Sequence, residues 1–248
     1  MSVGYVSQIV FENQIPEGSY LQSLPVVQYL QKHPCLAFDA DVTFLVGENG
    51  TGKSTLLEAI AVACGFNPEG GSRNFHFSTN ATHSELHACL RTVKRAYPKD
   101  GYFLRAESLY NVATNIEELD RARGFLPPLT ESYGGKSLHH QSHGESFLAL
   151  VQNRLGGQGL YLFDEPEAAL SPMRQLTLLS EIDRLVKAGS QLIIATHSPM
   201  LMAYPGACIY ELSDAGIAKV AYKDTEHYRM TKQFLDDPER MMKYLLDF

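Results

Sequence analysis

The segment GENGTGKST at residues 47–55 has the spacing G-x-x-x-x-G-K-S/T, which is typical of a loop that binds phosphate groups. Glycines allow a tight turn in which successive backbone N–H groups face an anion. Lys53 is expected to reach the β- and γ-phosphates of a nucleotide, and the Ser54 hydroxyl to bind Mg²⁺. A chance glycine-rich turn is the alternative, but a predicted strand precedes the segment and a predicted helix follows it. The residues predicted to bind the nucleotide here are Gly47, Glu48, Asn49, Gly50, Thr51, Gly52, Lys53, Ser54 and Thr55.

A pair of carboxylates follows a second apolar run, in LYLFDEP at residues 160–166. The run predicts a buried strand, and ligands of open α/β sheets bind at the carboxyl ends of such strands. Asp164 is expected to hold Mg²⁺ through water, and Glu165 to orient or deprotonate the attacking water. The alternative is that both carboxylates only cap the next helix. Beside a phosphate-binding loop, the catalytic interpretation is favoured.

The segment ATHSP at 195–199 follows another buried strand and is more specific than the two motifs above. With them it resembles the ATP-binding-cassette (ABC) ATPases. That resemblance implies that His197 contacts the γ-phosphate. A single histidine at a strand end is more often structural, but its order and spacing relative to Asp164 favour the functional interpretation.

The segment QSHGES at 141–146 resembles the signature of ABC ATPases, which typically reads L-S-G-G-Q. Ser142 matches the serine and Gly144 the second glycine, whereas His143 replaces the first glycine and Glu145 the glutamine. In that family the signature binds the γ-phosphate held by a second subunit. The resemblance therefore implies that Ser142 and Gly144 bind nucleotide on another copy, in a head-to-tail dimer that encloses two ATP molecules.

Two further segments match the family less closely. AALSPMRQ at 168–175 corresponds to the D-loop, whose Ala169, Leu170 and Ser171 would touch the dimer partner. FLRAES at 103–108 corresponds to the Q-loop, but it has Glu107 in place of a glutamine. Glu107 is interpreted as a metal ligand or a group that holds the attacking water, and a plain surface glutamate is the alternative.

Strands and helices alternate at both ends of the chain, which predicts an α/β fold, a P-loop NTPase of ABC type with a mainly parallel sheet. The prediction includes an N-terminal antiparallel β portion. One domain is expected over residues 1–248, with an inserted helical subdomain at about 75–155 that carries the signature. A helix is predicted at 82–97, capped by Thr82 or Ser84, and the last predicted helix covers 237–248.

The composition limits partners and location. The net charge is −7 and the pI about 5.7, so the protein as a whole is not suited to nucleic acid. Four scattered cysteines, no signal peptide and no long apolar run predict a cytoplasmic protein without membrane insertion. The middle of the chain is locally basic, which indicates a solvated helix face or an anionic partner; its cations are Arg91, Lys94, Arg95, Lys99, Arg105, Arg121 and Arg123. A metal site at His76, His83 and His87 is disfavoured because no carboxylate or cysteine completes it.

The resemblance covers the chain from the phosphate-binding loop through the His197 segment. The motifs most resemble those of small stand-alone bacterial ATPases on the chromosome-maintenance (SMC) and recombinational-repair side of the superfamily. The expected function is therefore ATP hydrolysis by an ATP-switched dimer, predicted to be a homodimer, with a protein or nucleic acid as a further partner. The alternatives are the ATP-binding subunit of a membrane ABC transporter, a nucleotide-gated binding module with negligible turnover, and a repair or defence ATPase bound to nucleic acid.

Overall fold

The computed structural model of the chain describes residues 4–73, 84–107, 109–122, 131, 133–135 and 137–246. Its strands are β1 (Val6–Phe11), β2 (Cys35–Ala37), β3 (Val42–Gly47), β4 (Gly71–Ser72), β5 (Leu90–Lys94), β6 (Asp100–Arg105), β7 (Gly159–Asp164), β8 (Gln191–Ala195), β9 (Cys208–Ser213) and β10 (Gly216–Val220). Its helices are α1 (Pro25–Lys32), α2 (Lys53–Ala63), α3 (Leu109–Ala122), α4 (His143–Arg154), α5 (Pro172–Lys187), α6 (Pro199–Met202), α7 (Glu226–Asp236) and α8 (Pro238–Leu246). Short 3₁₀ turns connect several of these elements.

A parallel sheet forms the centre of the fold. In the described part of the chain it has seven strands in the order β10-β9-β3-β8-β7-β6-β4. The pairs from β9 to β6 are parallel, and β10 and β4 add antiparallel edges. The central strands β3, β7 and β8 are buried along their whole length, as strands covered on both faces must be. The predicted ABC-type α/β fold is confirmed.

A second, antiparallel sheet has the order β2-β1-β5. Strand β1 pairs with β2 on one side and with β5 on the other. This sheet confirms the antiparallel β portion predicted near the N-terminus. Its buried side chains belong to the same apolar cluster as those of α1, α2 and one face of the central sheet. The antiparallel sheet therefore packs with these helices over that face.

The two faces of the central sheet bury different apolar clusters. Successive residues of β3 alternate between them: Leu45 belongs to the cluster below α2, whereas Phe44 and Val46 belong to the cluster below α3, α4 and α5. This alternation follows from the two-residue period of a strand. The helices thereby pack against both faces of the sheet and position the loops at its carboxyl edge.

The prediction of a helix at 82–97 is wrong for residues 84–97, the part of that range that the structure describes. A short 3₁₀ turn covers Glu85–Cys89 with Ser84 as its N-cap, and β5 follows at Leu90–Lys94. The apolar side chain of Leu86 is completely buried in the cluster that includes α2. The spacing of apolar residues suits a helix, but β1 offers an unpaired edge to the β-branched Thr92 and Val93. Tertiary pairing therefore overrides the local preference.

The inserted helical subdomain at about 75–155 stays a prediction. Strands β5 and β6 lie within that range and pair in the two sheets, and the α-helices in its described part are α3 and α4. Helices α3 and α4 both lie between β6 and β7, which are neighbouring parallel strands. At the other end of the chain, α8 matches the predicted terminal helix, whereas α7 (Glu226–Asp236) was not predicted.

None of the helices in the described ranges is long and apolar enough to cross a lipid bilayer. All four cysteines carry free thiols, and only Cys35 is exposed.

Candidate functional site

The three predicted chemical motifs meet at one edge of the central sheet. Strands β3, β8 and β7 are parallel neighbours, with Leu45 paired to Ala195 and Asp164 also paired to Ala195. Their carboxyl ends therefore lie side by side, and the loops that follow them share this edge. The edge brings the phosphate-binding loop, the carboxylate pair and His197 together.

The phosphate-binding loop needs glycine at two positions. Gly47 has φ +135°, and a Cβ there would lie 2.0 Å from the carbonyl oxygen of Leu212. Gly52 has φ +95°, and its Cβ would lie 2.4 Å from Cγ1 of Val26. Between them residues 48–50 are exposed, and helix α2 begins at Lys53. An exposed loop at the positive end of a helix is an arrangement that favours anions, so the loop fits the predicted phosphate site.

Lys53 is held in the middle of this predicted site. Its side chain is buried, and Nζ donates a hydrogen bond to the carbonyl oxygen of Glu48 at 3.0 Å. Burial lowers the pKa of Lys53, while the nearby carboxylates of Glu165 and Asp164 raise it and favour the ammonium form. The ammonium group is thus positioned to exchange a weak backbone contact for phosphate oxygens.

Asp164 is the buried carboxylate of the site. Burial raises its pKa to about 6, against the lowering effects of the Arg105 guanidinium and the Ser54 hydroxyl. Its Oδ1 is buried and has no hydrogen-bond partner among the described residues. A buried unpaired carboxylate oxygen beside a serine hydroxyl matches the oxygen ligands that Mg²⁺ prefers, so both residues fit the predicted metal site.

Arg105 lies at the end of β6, and the sequence predicted no role for it beyond membership of the basic middle of the chain. Its Nη1 contacts Oε2 of Glu58 at 2.7 Å, and its Nε lies 3.4 Å from Oδ2 of Asp164. The side chain is mostly buried, so it holds one carboxylate oxygen of Asp164 while leaving Oδ1 free. Its position at the end of a strand adjacent to the carboxylate strand is the signal that could have revealed it.

Glu165 lies at the mouth of the site in an unusual backbone conformation. Its φ is +48°, in the left-handed region that non-glycine residues rarely adopt. The backbone N–H still donates to the carbonyl of Ala195 at 3.0 Å, which extends the pairing of β7 with β8 by one residue. Oε1 lies 3.5 Å from Nε2 of His197. Such strain is often retained where it aims a functional side chain.

His197 is held on both its backbone and its ring. Glu167 accepts hydrogen bonds from the backbone N–H of His197 at 2.5 Å and from the hydroxyl of Thr196 at 2.7 Å. Ring atom Nδ1 lies 3.0 Å from Nε2 of His227. Burial, followed by the charge of Lys53, lowers the pKa of His197, so the neutral ring is favoured. Sequence reasoning assigned no role to Glu167 or His227.

Glu107 lies beyond the end of β6, and its side chain is 83% exposed. Its Oε2 is 4.0 Å from Nη2 of Arg105, and its charge raises the pKa of Asp164. The side chain therefore faces the predicted metal site without contacting Asp164 directly. Its role as a metal ligand stays a prediction.

The signature segment begins helix α4, with Ser142 as its N-cap. The carboxylate of Glu145 accepts from the backbone N–H of Ser142 at 2.9 Å and from its hydroxyl at 2.7 Å. Arg174 of α5 contacts both residues, at 3.1 Å to Oγ of Ser142 and at 3.0 Å to Oε1 of Glu145. The replacement of the family's glutamine thus acts as a capping carboxylate at the third helical position.

The other replacement in the signature, His143, also has a structural contact. Its Nε2 lies 3.0 Å from the carbonyl oxygen of Ala106, whose own N–H donates to the carbonyl of Asp164 at 3.2 Å. The signature helix is thereby connected through one residue to the strand that ends in the carboxylate pair.

Gly144 packs against the predicted D-loop segment, so we expect its replacement by alanine to destabilise the fold. A Cβ at this position would lie 2.6 Å from the carbonyl oxygen of Ala169, which is backbone and cannot rotate away. Overpacking of this kind costs about 1–3 kcal/mol of unfolding free energy. Urea denaturation of Gly144→Ala measures the change. Gly156→Ala is the control, since its Cβ would meet no atom within 4 Å; equal stability of the two variants would contradict the prediction.

The histidine cluster that the sequence disfavours as a metal site falls mainly outside the described residues. His76 and His83 lie outside the described residues, and Nδ1 of His87 contacts the carbonyl of Ser84 at 2.9 Å. The ranges that the structure describes contain no group of three or more histidines, cysteines and carboxylates arranged to hold a metal ion.

Two protein-family profiles match consecutive parts of the chain. A profile described as "AAA domain" matches residues 26–108, and one described as "AAA domain, putative AbiEii toxin, Type IV TA system" matches residues 98–203. Together they cover the phosphate-binding loop, the signature, the carboxylate pair and His197.

Curated relatives and solved structures agree with these profiles. An "Uncharacterized ABC transporter ATP-binding protein" of Haemophilus influenzae is 29% identical over 176 residues, which are 65% of this chain and 66% of that protein. A "Putative ABC transporter ATP-binding protein" of Bacillus anthracis is 27% identical over 247 residues, which are 90% of this chain and 43% of that protein. This chain thus spans less than two thirds of either relative. MJ1267, the ATP-binding cassette of an ABC transporter, superimposes with a TM-score of 0.52 at 17% identity, covering 97% of this chain and 98% of that one, and so shares its fold.

Proposed function

We propose that this chain is an ABC-type P-loop ATPase that binds Mg-ATP, hydrolyses it and works as an ATP-switched head-to-tail homodimer. The observation that carries this proposal is the meeting of Lys53, the carboxylate pair and His197 at one sheet edge, with Glu165 and His197 3.5 Å apart. A cation for phosphate oxygens, a carboxylate for water and a neutral imidazole are the groups that phosphoryl transfer to water requires.

Each residue of the proposed site has a separate task. The loop amides and Lys53 bind the β- and γ-phosphate oxygens, and Glu165 orients the attacking water and accepts its proton. His197 donates from Nε2 to a γ-phosphate oxygen. Asp164 and Ser54 would hold Mg²⁺, which supplies charge neutralisation for the phosphates. The backbone of Glu165 has a φ of +48°, and its carboxylate lies 3.5 Å from Nε2 of His197.

The dimer completes the site in the proposal. Ser142 and Gly144 at the N-terminus of α4 would face the γ-phosphate bound by the other copy, where helix amides favour an anion. The negative charge of Glu145 lies beside Ser142, and Arg174 offsets it at 3.0 Å. The γ-phosphate then contacts both chains, so its loss on hydrolysis removes the contact that holds them together.

Mixing two inactive variants tests the head-to-tail arrangement. Lys53→Met removes the phosphate ligand, and Ser142→Asp keeps a good N-cap but places a second negative charge against the phosphate. A mixed dimer contains one intact composite site, formed by the native Lys53 of one chain and the native Ser142 of the other. Because half the dimers are mixed and each has one such site, about a quarter of the native ATPase rate should return.

One result of this mixing experiment would contradict the proposal. Mixed chains that remain as inactive as either variant alone would exclude a site shared between two copies. Each variant measured alone at the same total concentration serves as the control, and light scattering with Mg-ATP reports whether dimers form.

A second candidate is the ATP-binding subunit of a membrane ABC transporter. It is favoured by the two relatives above, which are described as ABC transporter ATP-binding proteins. Capture of the chain from native cells in mild detergent, with and without Mg-ATP, distinguishes the two. An integral membrane protein retained only with nucleotide would support the transporter subunit, and its absence would support a stand-alone ATPase.

A repair or defence ATPase bound to nucleic acid is less well supported by the surface charges. In the described ranges, Arg91 pairs with Glu12, Arg95 with Asp39, and Arg121 with Glu117; Arg105 lies at the sheet edge and Arg123 outside these ranges. Paired cations are less available to phosphates. The placement of the chain on the chromosome-maintenance and repair side of the superfamily stays a prediction.

A further inference from the structure

His227 in the first turn of α7 contacts the ring of His197 from the side opposite the carboxylate pair. Nε2 of His227 lies 3.0 Å from Nδ1 of His197, and the ring centroids are 5.1 Å apart. None of the sequence motifs includes this residue. The contact joins α7 to the catalytic edge over 30 positions of sequence.

The surroundings of the two rings decide where their protons lie. Nε2 of His197 lies 3.5 Å from the Glu165 carboxylate, which can only accept a hydrogen bond, so a proton on Nε2 is favoured. In a neutral ring Nδ1 is then an acceptor, and the hydrogen-bond donor at 3.0 Å is Nε2–H of His227. Nδ1 of His227 is buried without a partner among the described residues, which suits an unprotonated nitrogen.

This arrangement leaves His197 with one donor aimed at the site. Its Nε2 is buried and makes no hydrogen bond in the described part of the chain, where the Glu165 carboxylate at 3.5 Å is an electrostatic neighbour only. Its acceptor would therefore be supplied from outside the protein, as a γ-phosphate oxygen is in the proposed function. If His197 carried its proton on Nδ1 instead, Nε2 would present a lone pair to that oxygen and repel it.

The position of His227 is fixed by the start of α7. Thr225 is completely buried, accepts from the N–H of Tyr228 at 3.3 Å and donates to the carbonyl of Tyr222 at 2.8 Å. The N–H of Glu226 donates to Oε1 of Glu211, in β9, at 2.8 Å. Helix α7 has no buried residue of its own, so these contacts anchor an otherwise peripheral helix.

We propose that His227 is a positioning residue for ATP hydrolysis: it donates from Nε2 to Nδ1 of His197 and so keeps His197 as an Nε2–H donor toward the γ-phosphate. The proposal rests on the proposed function, since it assigns a role within the same site. His227 itself does not touch the nucleotide. The start of α7 thereby becomes part of the hydrolytic machinery.

Two substitutions at this position separate a hydrogen bond from simple packing. His227→Phe keeps an aromatic ring but has no donor, and His227→Gln keeps an N–H donor without the ring. We expect the phenylalanine variant to lose about tenfold in kcat with little change in KM for ATP, and the glutamine variant to recover most of that loss. Gln233→Ala is the control, because Gln233 is an exposed residue of the same helix.

A second measurement does not depend on turnover. Nitrogen-15 NMR of histidine-labelled full-length protein distinguishes the two tautomers of His197 directly. The Nε2–H form is expected in the native chain and in His227→Gln, and a mixture of both forms in His227→Phe. Assignment of the resonance uses a His197→Asn variant.

The outcomes of these measurements separate the two proposals. Native kcat in the phenylalanine variant, or an equal loss in both variants, would overturn the positioning role, as would an Nδ1–H tautomer in the native chain. A native protein that hydrolyses no ATP, alone or mixed with any partner, would refute the proposed function, while the NMR result would still decide the tautomer.

Discussion

Replacement of Glu165 by glutamine is expected to reduce the turnover number for ATP by a factor of about 10²–10⁴. The side chain keeps its size and its place near His197, but it can no longer accept a proton from water. Binding of Mg-ATP should persist, because Lys53, the loop amides and Asp164 are unchanged. The ATP-bound dimer should therefore accumulate. Single-turnover hydrolysis measures the chemical step, and light scattering with Mg-ATP measures the dimer.

The structure provides a matched control for this prediction. Glu118 is an exposed carboxylate on α3, away from the sheet edge, and Glu118→Gln should hydrolyse ATP at the native rate. A Glu165→Gln variant with a native single-turnover rate would exclude Glu165 as the general base. A variant that loses the rate but stays monomeric with Mg-ATP would keep the catalytic assignment and remove the dimer.

Replacement of Lys53 by methionine is expected to weaken ATP binding by roughly 10–100-fold, since hydrogen bonds to charged groups are worth about 1.5–3 kcal/mol. Methionine retains the buried aliphatic stem, so the fold should survive. The ammonium, however, is the cation that faces both the phosphate-binding loop and the carboxylates of Glu165 and Asp164. Equilibrium titration with a fluorescent ATP analogue measures the affinity.

An exposed lysine elsewhere distinguishes a local effect from a general loss of positive charge. Lys99 precedes β6 and is exposed, so Lys99→Met should bind ATP with native affinity. If both variants bind equally well, Lys53 does not contact the phosphates and the phosphate-binding loop needs another interpretation. If both lose affinity equally, nonspecific electrostatics rather than a built site accounts for binding.

Segments whose structure depends on residues close together in the chain were predictable from their residue types and spacing. The loop from Gly47 to Lys53 lies between a strand and a helix, as the sequence predicts. Its glycines could be interpreted in advance because positive φ and close backbone approach restrict a position to that residue type. The same holds for the runs that end in Asp164 and precede His197, since apolar strands of a parallel sheet are continuous in sequence.

Segments whose structure depends on distant partners were not predictable in the same way. Strand β5 has the apolar spacing of a helix, and its pairing with β1 decides the outcome. Glu145 and His143 looked like departures from a signature, yet their contacts are with Ser142, Arg174 and Ala106. The spacing of residues in the sequence does not predict a hydrogen bond to the backbone of another element.

The amino-acid sequence alone was sufficient to predict the α/β class and the nucleotide-binding motifs, and to reveal the resemblance to ABC ATPases. Each of these depends on residues close together in the chain, where backbone geometry links residue type to structure. Only the tertiary structure revealed that Glu167 accepts from the backbone of His197, that Arg105 contacts Asp164, and that His227 contacts the ring of His197. Those side chains are brought within hydrogen-bond or ion-pair distance by the order of strands in the sheet and by the return of the chain in α7. Contacts of that kind depend on packing between elements, which no local pattern encodes.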